Sequence, residues 1–234
     1  MHPILKKATI IEKTLLTNKV LEITLLPKEQ YTFKPGQFNS IKIGNGFRSY
    51  SVASLVKDNS FKNIISIGHT GLGSDYFRTA TVGEELEFLG PSGKFYLNTQ
   101  LKPNMLFLAT GTGLAPFIPM FQYLSQCDHV NSKVHLYFGV RNVLELFYID
   151  ILQDLKKNTA WFDFTVCLSQ EEAANYTFGR ITNSYTISDL ENTQVYLCGN
   201  PHMIEENVTR IKAFGLSETD IYYEKFTTAV KKLV

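Results

Sequence analysis

Along the first hundred residues, hydrophobic and polar positions alternate in short runs. They are Ala8-Thr9-Ile10-Ile11, Val20-Leu21-Glu22-Ile23-Thr24-Leu25, Gln37-Phe38-Asn39-Ser40-Ile41-Lys42-Ile43 and Ile64-Ile65-Ser66-Ile67. Pro27, Pro35-Gly36, Gly44-Asn45-Gly46 and Gly83 separate them. A period of two, cut by turn residues at this spacing, predicts the strands of an antiparallel barrel or sandwich. Ser74 precedes Asp75-Tyr76-Phe77-Arg78 as an N-cap would, which predicts one helix start in this region. After Pro103 the pattern changes. Apolar strands are predicted at Met105–Ala109, Val134–Gly139, Phe164–Leu168 and Val195–Leu197, alternating with helical stretches at Ala115–Ser125, Phe147–Lys157 and Met203–Phe214. Continuous apolar strands between amphipathic helices imply a doubly wound parallel α/β domain. The expected organisation is an antiparallel β domain, barrel or sandwich, over residues 1–100, then a doubly wound α/β domain over 101–234.

Composition narrows the classes. The 234 residues are 44% hydrophobic and 19% charged, too apolar for a disordered chain. Lys+Arg 23 against Asp+Glu 22 leaves a net charge of +1, which gives no electrostatic footprint for nucleic acid. Cys127, Cys167 and Cys198 are too scattered for a disulfide framework or for metal-ligand spacing, so no metal site is expected. The most apolar window, Met105–Phe121, is interrupted by Gly111, Gly113, Pro116 and Pro119 and falls short of a bilayer span. The first seven residues lack the apolar stretch of a secretory signal. A soluble cytoplasmic protein is expected.

Four segments carry candidate chemistry. In Phe107-Leu108-Ala109-Thr110-Gly111-Thr112-Gly113-Leu114-Ala115-Pro116, an apolar strand enters a Gly-x-Gly turn and then a helix. There the backbone can approach a diphosphate and the helix start offers N–H donors, although a ligand-free tight turn reads the same way. Pro116 suits an early helical position, where a missing N–H costs nothing. Arg48-Ser49-Tyr50-Ser51 is an alternating strand with a cation and a phenol, and Gly71-Leu72-Gly73-Ser74 leads into a helix start, a second anion site. Cys198-Gly199-Asn200-Pro201-His202-Met203 follows the last apolar strand, at the carboxyl edge of the sheet where α/β ligands bind. No paired base accompanies Cys198 as a nucleophile. His69, His135 and His202 stand alone and read as packed or surface residues, Trp161 as core or rim, and Glu171-Glu172 as a solvated loop.

In this order the segments resemble the ferredoxin–NADP reductase superfamily. Arg48–Ser51 is similar to its flavin motif Arg-x-Tyr-Ser, and Gly71–Ser74 to its Gly-x-x-Ser diphosphate turn. Gly90-Pro91-Ser92-Gly93 resembles its Gly-Pro-x-Gly exit from the barrel, and Gly111–Pro116 its nicotinamide diphosphate loop. Cys198–Met203 resembles its Cys-Gly-x-Pro-x-Met corner, and Gly139-Val140-Arg141-Asn142 with Glu145-Leu146-Phe147-Tyr148 the Val-Arg…Glu-Leu-x-Tyr segment of bacterial members. The resemblance spans about residues 8–226. It implies an FAD enzyme that transfers hydride between NADPH or NADH and flavin, then passes electrons to a separate ferredoxin or flavodoxin. A flavin reductase, an oxygenase reductase component and a non-catalytic nucleotide-sensing or scaffold flavoprotein are the alternatives.

The resemblance also implies roles. Arg48, Ser49, Gly71, Gly73 and Ser74 hold the FAD diphosphate, Tyr50 lies on the isoalloxazine, and Ser51 hydrogen-bonds near flavin N5. Gly111, Thr112, Gly113 and Pro116 hold the nicotinamide diphosphate. Cys198 packs beside the nicotinamide, with Gly199, Pro201 and Met203 shaping the corner. In Tyr223-Glu224-Lys225-Phe226, Glu224 is the acidic neighbour of the reacting rings and Phe226 covers the flavin. Ser51, Cys198 and Glu224 form the implied catalytic set. NADP-using relatives place Ser or Thr followed by Arg after the third strand of the nucleotide domain; here Ser169-Gln170-Glu171-Glu172 stands there, with Arg141 and Arg180 as other cations. This departure implies weak coenzyme discrimination or an NADH preference.

Overall fold

The computed structural model describes residues 4–127 and 130–226; Lys231 and Lys232, read in the sequence as a solvated tail, lie outside the described residues. The described parts of Met1–Asn98, Ala115–His129 and Leu144–Phe147 form one compact unit. Those of Thr99–Leu114, Val130–Val143 and Tyr148–Val234 form another.

The first unit is a six-stranded antiparallel sheet. Its strands are β1 (Lys6–Thr17), β2 (Val20–Pro27), β3 (Phe38–Ile43), β4 (Gly46–Ser51), β5 (Phe61–Ser66) and β6 (Glu85–Ser92), in the order β4-β3-β6-β1-β2-β5. The two edge strands meet. Val52, just past β4, bridges Asn63 of β5, and the Ala53 N–H donates to the Lys62 carbonyl at 2.7 Å, so the sheet closes into a barrel. Ile10, Ile23, Leu25, Tyr31, Ile41, Phe61, Ile65 and Phe88 fill its interior. Each such aliphatic or phenyl side chain contributes about 1.5–3 kcal/mol by leaving water. Strand β6 is absent from the sequence reading. Leu86 and Phe88 do alternate inward there, but Glu85 and Glu87 dominate the text of the segment and face out to Lys7, Lys28 and Lys42.

Helix α1 (Leu72–Thr79) starts earlier than the sequence reading expects. Gly71, not Ser74, is the N-cap, because Ser74 is buried and its hydroxyl donates to the Ser66 carbonyl at 2.9 Å. Lys13 closes the other end, its Nζ donating to the Arg78 and Ala80 carbonyls at 3.0 and 2.7 Å. Helix α2 (Phe117–Ser125) also belongs to this unit. Phe117 lies 5.8 Å from Phe95, and Gln122 Oε1 accepts the Leu55 N–H at 2.9 Å. Pro116 is its N-cap rather than a first-turn residue, and Pro119 falls in the first turn, where N–H groups have no helical partner in any case.

The second unit is a parallel sheet of β7 (Asn104–Thr110), β8 (Lys133–Val140), β9 (Phe162–Leu168), β10 (Thr177–Phe178), β11 (Thr193–Gly199) and β12 (Ile221–Lys225). Helices α3 (Ile149–Asn158) and α4 (Pro201–Ala213) lie in its connections. The order β10-β9-β8-β7-β11-β12 turns back at β7, the doubly wound arrangement expected. Leu108, Val195, Leu197, Ile204 and Ile211 are fully buried. Beside them Asn207 has no exposure and is fully engaged. Its Oδ1 accepts from the Tyr185 hydroxyl at 2.8 Å, and its Nδ2 donates to Thr182 Oγ1 and the Met203 carbonyl at 3.1 and 2.7 Å. Among the described residues no helix is long and apolar enough to cross a membrane, and no cluster of metal-ligating side chains occurs.

His135 on β8 is packed, as its isolation in sequence suggested. Its ring lies 4.6 Å from that of Tyr137, and Nε2 is 2.9 Å from Thr165 Oγ1. Burial pushes its pKa below the ordinary 6.5; the Asp163 carboxylate opposes that shift and Lys156 adds to it. Below pH 6.5 the unfolded chain therefore binds the proton more readily than the folded one, and stability falls as the pH falls. Thermal melts between pH 7.5 and 5 are expected to show this decline in the wild type and a shallower one in His135→Gln. Parallel curves would exclude the histidine as the cause.

Candidate functional site

The Arg48–Ser51 segment forms β4, paired with β3 so that Asn39 faces Tyr50, Ser40 faces Ser49 and Ile41 faces Arg48. Ser49 Oγ lies 3.0 Å from Ser40 Oγ. The start of α1 packs against this strand with no room to spare: a Cβ on Gly73 would stand 2.1 Å from Tyr50 Oη and 3.5 Å from Arg48 Cγ. Arg48 and Tyr50, two apart on β4, thus share one surface with Gly73, distant from them in sequence. The Tyr50 ring meets Phe77 edge-on at 5.3 Å, and burial raises its phenol pKa to about 12, with the Arg48 charge opposing, so Tyr50 is neutral.

Arg48 Nη1 donates to the Phe47 carbonyl at 2.8 Å, which folds the guanidinium back over its own strand. Gly71 carries no side chain over the first turn of α1, and a Cβ placed there would meet nothing within 4 Å. The Asp75 carboxylate accepts the Gly71 N–H at 3.2 Å, while the N–H groups that follow and the guanidinium offer donors suited to an anion. Ser74 contributes its backbone only, since its hydroxyl is spent on Ser66. Arg78 fixes the preceding loop, donating to the Ile67 and His69 carbonyls at 2.7 and 2.6 Å. Neither Arg78 nor Lys13 stands out in the sequence, because the contacts by which they hold the loop and the helix end are to carbonyls that any residue supplies.

In the second unit the carboxyl ends of β7 and β11 lie side by side, at the point where the strand order reverses. Gly111 has φ +53 with open space around it, while a Cβ on Gly113 would stand 2.2 Å from the Cys198 carbonyl oxygen. Gly199, φ +133, brings its Cα against Thr110, where a Cβ would meet Oγ1 at 2.4 Å. The Thr110 hydroxyl accepts the Asn200 N–H at 3.1 Å, and Asn200 Oδ1 caps α4 through the His202 N–H at 2.8 Å, with Pro201 in the first turn. Gly111, Thr112, Gly113, Cys198, Gly199 and Pro201 are thereby brought together. Thr110 and Asn200 are structural members that the sequence reading did not assign.

Cys198 has no exposure, and its thiol pKa lies well above the ordinary value, through burial first and the Glu224 charge second. It stays a thiol. Glu224 sits opposite Cys198 in the β11–β12 register, and the Phe226 N–H donates to the Gly199 carbonyl at 3.2 Å, so all three belong to one corner. Met203 lies in the apolar core of the unit. At the ends of β8 and β9, the Gln170 N–H donates to the Arg141 carbonyl at 2.9 Å and the Ser169 N–H to the Val140 carbonyl at 3.0 Å. Glu171, read as solvated, instead accepts the Val143 N–H at 2.8 Å and ties the two loops together. Arg180 is exposed and follows β10.

A closed antiparallel barrel is thus joined in one chain to a doubly wound parallel sheet with a glycine turn at its switch point. The family of the oxidoreductase NAD-binding domain matches residues 107–208. The toluate 1,2-dioxygenase electron transfer component of Pseudomonas putida is 32% identical over 214 residues, 89% of this chain and 63% of that protein. The chain thus spans less than two thirds of this relative's length. The Amycolatopsis cytochrome P450 reductase GcoB superposes with a TM-score of 0.88 at 26% identity, over 97% of this chain and 71% of that one. The ferredoxin NADP+ reductase from Neisseria gonorrhoeae, with bound FAD and NADP, superposes with a TM-score of 0.81 at 22% identity, over 95% and 99%. The chain belongs to the ferredoxin–NADP reductase superfamily.

The glycines of the 111–113 turn do different work, and substitution separates them. Gly113→Ala drives a Cβ into backbone and should cost about 2–3 kcal/mol. Gly111→Asn, in open space at a φ that asparagine tolerates, should cost about 1 kcal/mol or less. Urea unfolding of the two variants checks the order. Equal losses would mean that the turn does not rest on β11.

Proposed function

We propose that the chain is an FAD-dependent oxidoreductase that takes hydride from NADH or NADPH and delivers single electrons to a separate ferredoxin-type protein of an oxygenase system. The observation that carries this reading is the pair of cradles. Arg48 and the start of α1 form one, and the Gly111–Gly113 turn beside Cys198–Gly199 forms the other. The residues fit the cofactor: a guanidinium and the N–H groups of Leu72, Gly73 and Ser74 in the first turn suit a diphosphate, and the neutral phenol of Tyr50 suits an uncharged ring system. FAD, when bound, supplies the conversion of one hydride into two single electrons.

The remaining roles fall to the protein. Arg48, Ser49, Gly71, Gly73 and Ser74 hold the flavin diphosphate, Tyr50 orients the ring system, and Ser51 offers its hydroxyl at the reacting edge. The backbone of Gly111, Thr112 and Gly113, with Pro116 starting the next helix, holds the coenzyme diphosphate. Gly199, Pro201 and Met203 shape the corner in which Cys198, as a neutral thiol, sets an apolar wall for the nicotinamide. Glu224 keeps a carboxylate beside it, and Phe226 excludes water. Arg141, Ser169 and Gln170 meet the adenosine end. The acceptor is favoured as an oxygenase partner because relatives such as that of Pseudomonas putida are dioxygenase electron transfer components.

Anaerobic stopped-flow mixing of the purified protein with NADH and with NADPH tests the reading. Bleaching of a stoichiometric bound flavin is expected, and mass spectrometry of the released cofactor should identify FAD. A protein that carries FMN, or releases its flavin on gel filtration, would favour a flavin reductase. Arg48→Ala removes a charge-assisted contact of about 1.5–3 kcal/mol and should weaken flavin retention roughly ten- to a hundredfold.

Coenzyme choice rests on Gln170, which offers no charge to a 2′-phosphate, and on the carboxylates of Glu171 and Glu172 beside it. NADH is expected to be used at least as well as NADPH, and Gln170→Arg to move the kcat/KM ratio toward NADPH by roughly ten- to a hundredfold. A strong NADPH preference in the wild type, untouched by Gln170→Arg, would transfer the role to Arg141 or Arg180.

A further inference from the structure

Asn63 is a fully buried amide on β5, flanked on the same face by Phe61 and Ile65 of the barrel core. Its Nδ2 donates to two successive carbonyls of β4, Tyr50 at 3.2 Å and Ser51 at 2.9 Å. Among the described residues the pairing that closes β4 onto β5 is one bridge, Val52 to Asn63, with the Ala53 N–H on the Lys62 carbonyl beside it, and at Tyr50 and Ser51 a side chain spans the seam where a ladder would otherwise run. The other end of the amide, Oδ1, is buried without a hydrogen-bond partner. That acceptor is a standing cost, and a leucine of similar volume would avoid it while packing like Phe61 and Ile65. A leucine could not hold two carbonyls.

The Tyr50 carbonyl belongs to the peptide plane before Ser51 and the Ser51 carbonyl to the plane after it. Pinning both planes fixes φ and ψ of Ser51, and with them the direction in which its side chain leaves the backbone. We propose that Asn63 is a positioning residue that acts through Ser51, setting its hydroxyl toward the flavin and thereby tuning hydride transfer. The proposal rests on the flavin reading given above, but its mechanical half does not, since both hydrogen bonds of Asn63 run to the protein's own backbone.

Asn63→Leu and the milder Asn63→Ser, which keeps one donor, test it, with Asn207→Leu as a buried-amide control in the other unit. In flavin-free protein, amide exchange at Ser51 and Val52 should quicken at least tenfold in Asn63→Leu, without matching changes across β1 and β2. In flavin-loaded protein, the visible spectrum and midpoint potential should shift and the hydride-transfer rate constant should fall at least tenfold, with coenzyme Kd within twofold of wild type. Asn63→Ser should fall between, and it carries the same test if Asn63→Leu does not fold. Exchange, spectrum and rate all at wild-type values in the folded variants would overturn the proposal, as would equal changes in Asn207→Leu. A wild type that binds no flavin would overturn the reading of the site instead, while the exchange data would still decide whether Asn63 holds Ser51.

Discussion

Both cradles are built where backbone comes closer than a Cβ permits. Gly73 lies against the Tyr50 hydroxyl, Gly113 against the Cys198 carbonyl and Gly199 against Thr110, with hypothetical Cβ contacts of 2.1, 2.2 and 2.4 Å. Only one of these contacts, at Gly199, also uses a left-handed φ; the other two require the missing side chain itself. The rest of each site follows from the approach. With Gly73 seated on Tyr50, the start of α1 shares a surface with Arg48. With Gly113 seated on Cys198–Gly199, the turn after β7 and the corner before α4 become one rim at the switch point of the sheet.

Close approach alone would leave these elements free to slide, and a few polar contacts remove that freedom. Lys13 and Ser74 fasten α1 near its two ends, Thr110 accepts the Asn200 N–H across the rim, and Glu171 joins the loops after β8 and β9. Each is a single contact contributing about 0.5–1.5 kcal/mol net. Their effect is on position more than on stability, because each ends on a backbone group that belongs to a site-bearing segment.

The alternation of the first hundred residues and the apolar strands after Pro103 made both sheets legible, since period and burial are local properties of the text. The helix start at Ser74 was misread for a reason of the same kind. A serine before Asp75 looks like a cap until its hydroxyl is seen to reach back eight residues to Ser66. Strand β6 was missed because its glutamates, facing outward lysines, outweigh Leu86 and Phe88 in a linear reading. Arg48, Tyr50, Gly111, Gly113 and Cys198 are legible as candidates because their types stand at motif spacing. Asn63, Thr110 and Lys13 are not, because what they bind is carbonyl or amide backbone remote in sequence, and backbone leaves no mark in the text.

The titratable groups of the candidate site argue against chemistry by the protein itself. Burial holds Cys198 as a thiol, and the charge of Glu224 strengthens that effect, so a nucleophilic thiolate is disfavoured twice over at this corner. Burial likewise keeps the Tyr50 phenol protonated despite a neighbouring guanidinium. A nucleophile or general base needs a pKa drawn toward the working pH, and here both shifts run the other way. Groups held neutral and fixed are suited to shaping a dry pocket around a reactive cofactor, which is the division of labour expected when hydride and electron transfer belong to bound molecules. The protein's contribution then lies in distances and orientations, and those are set by three glycines and the few hydrogen bonds that keep them seated.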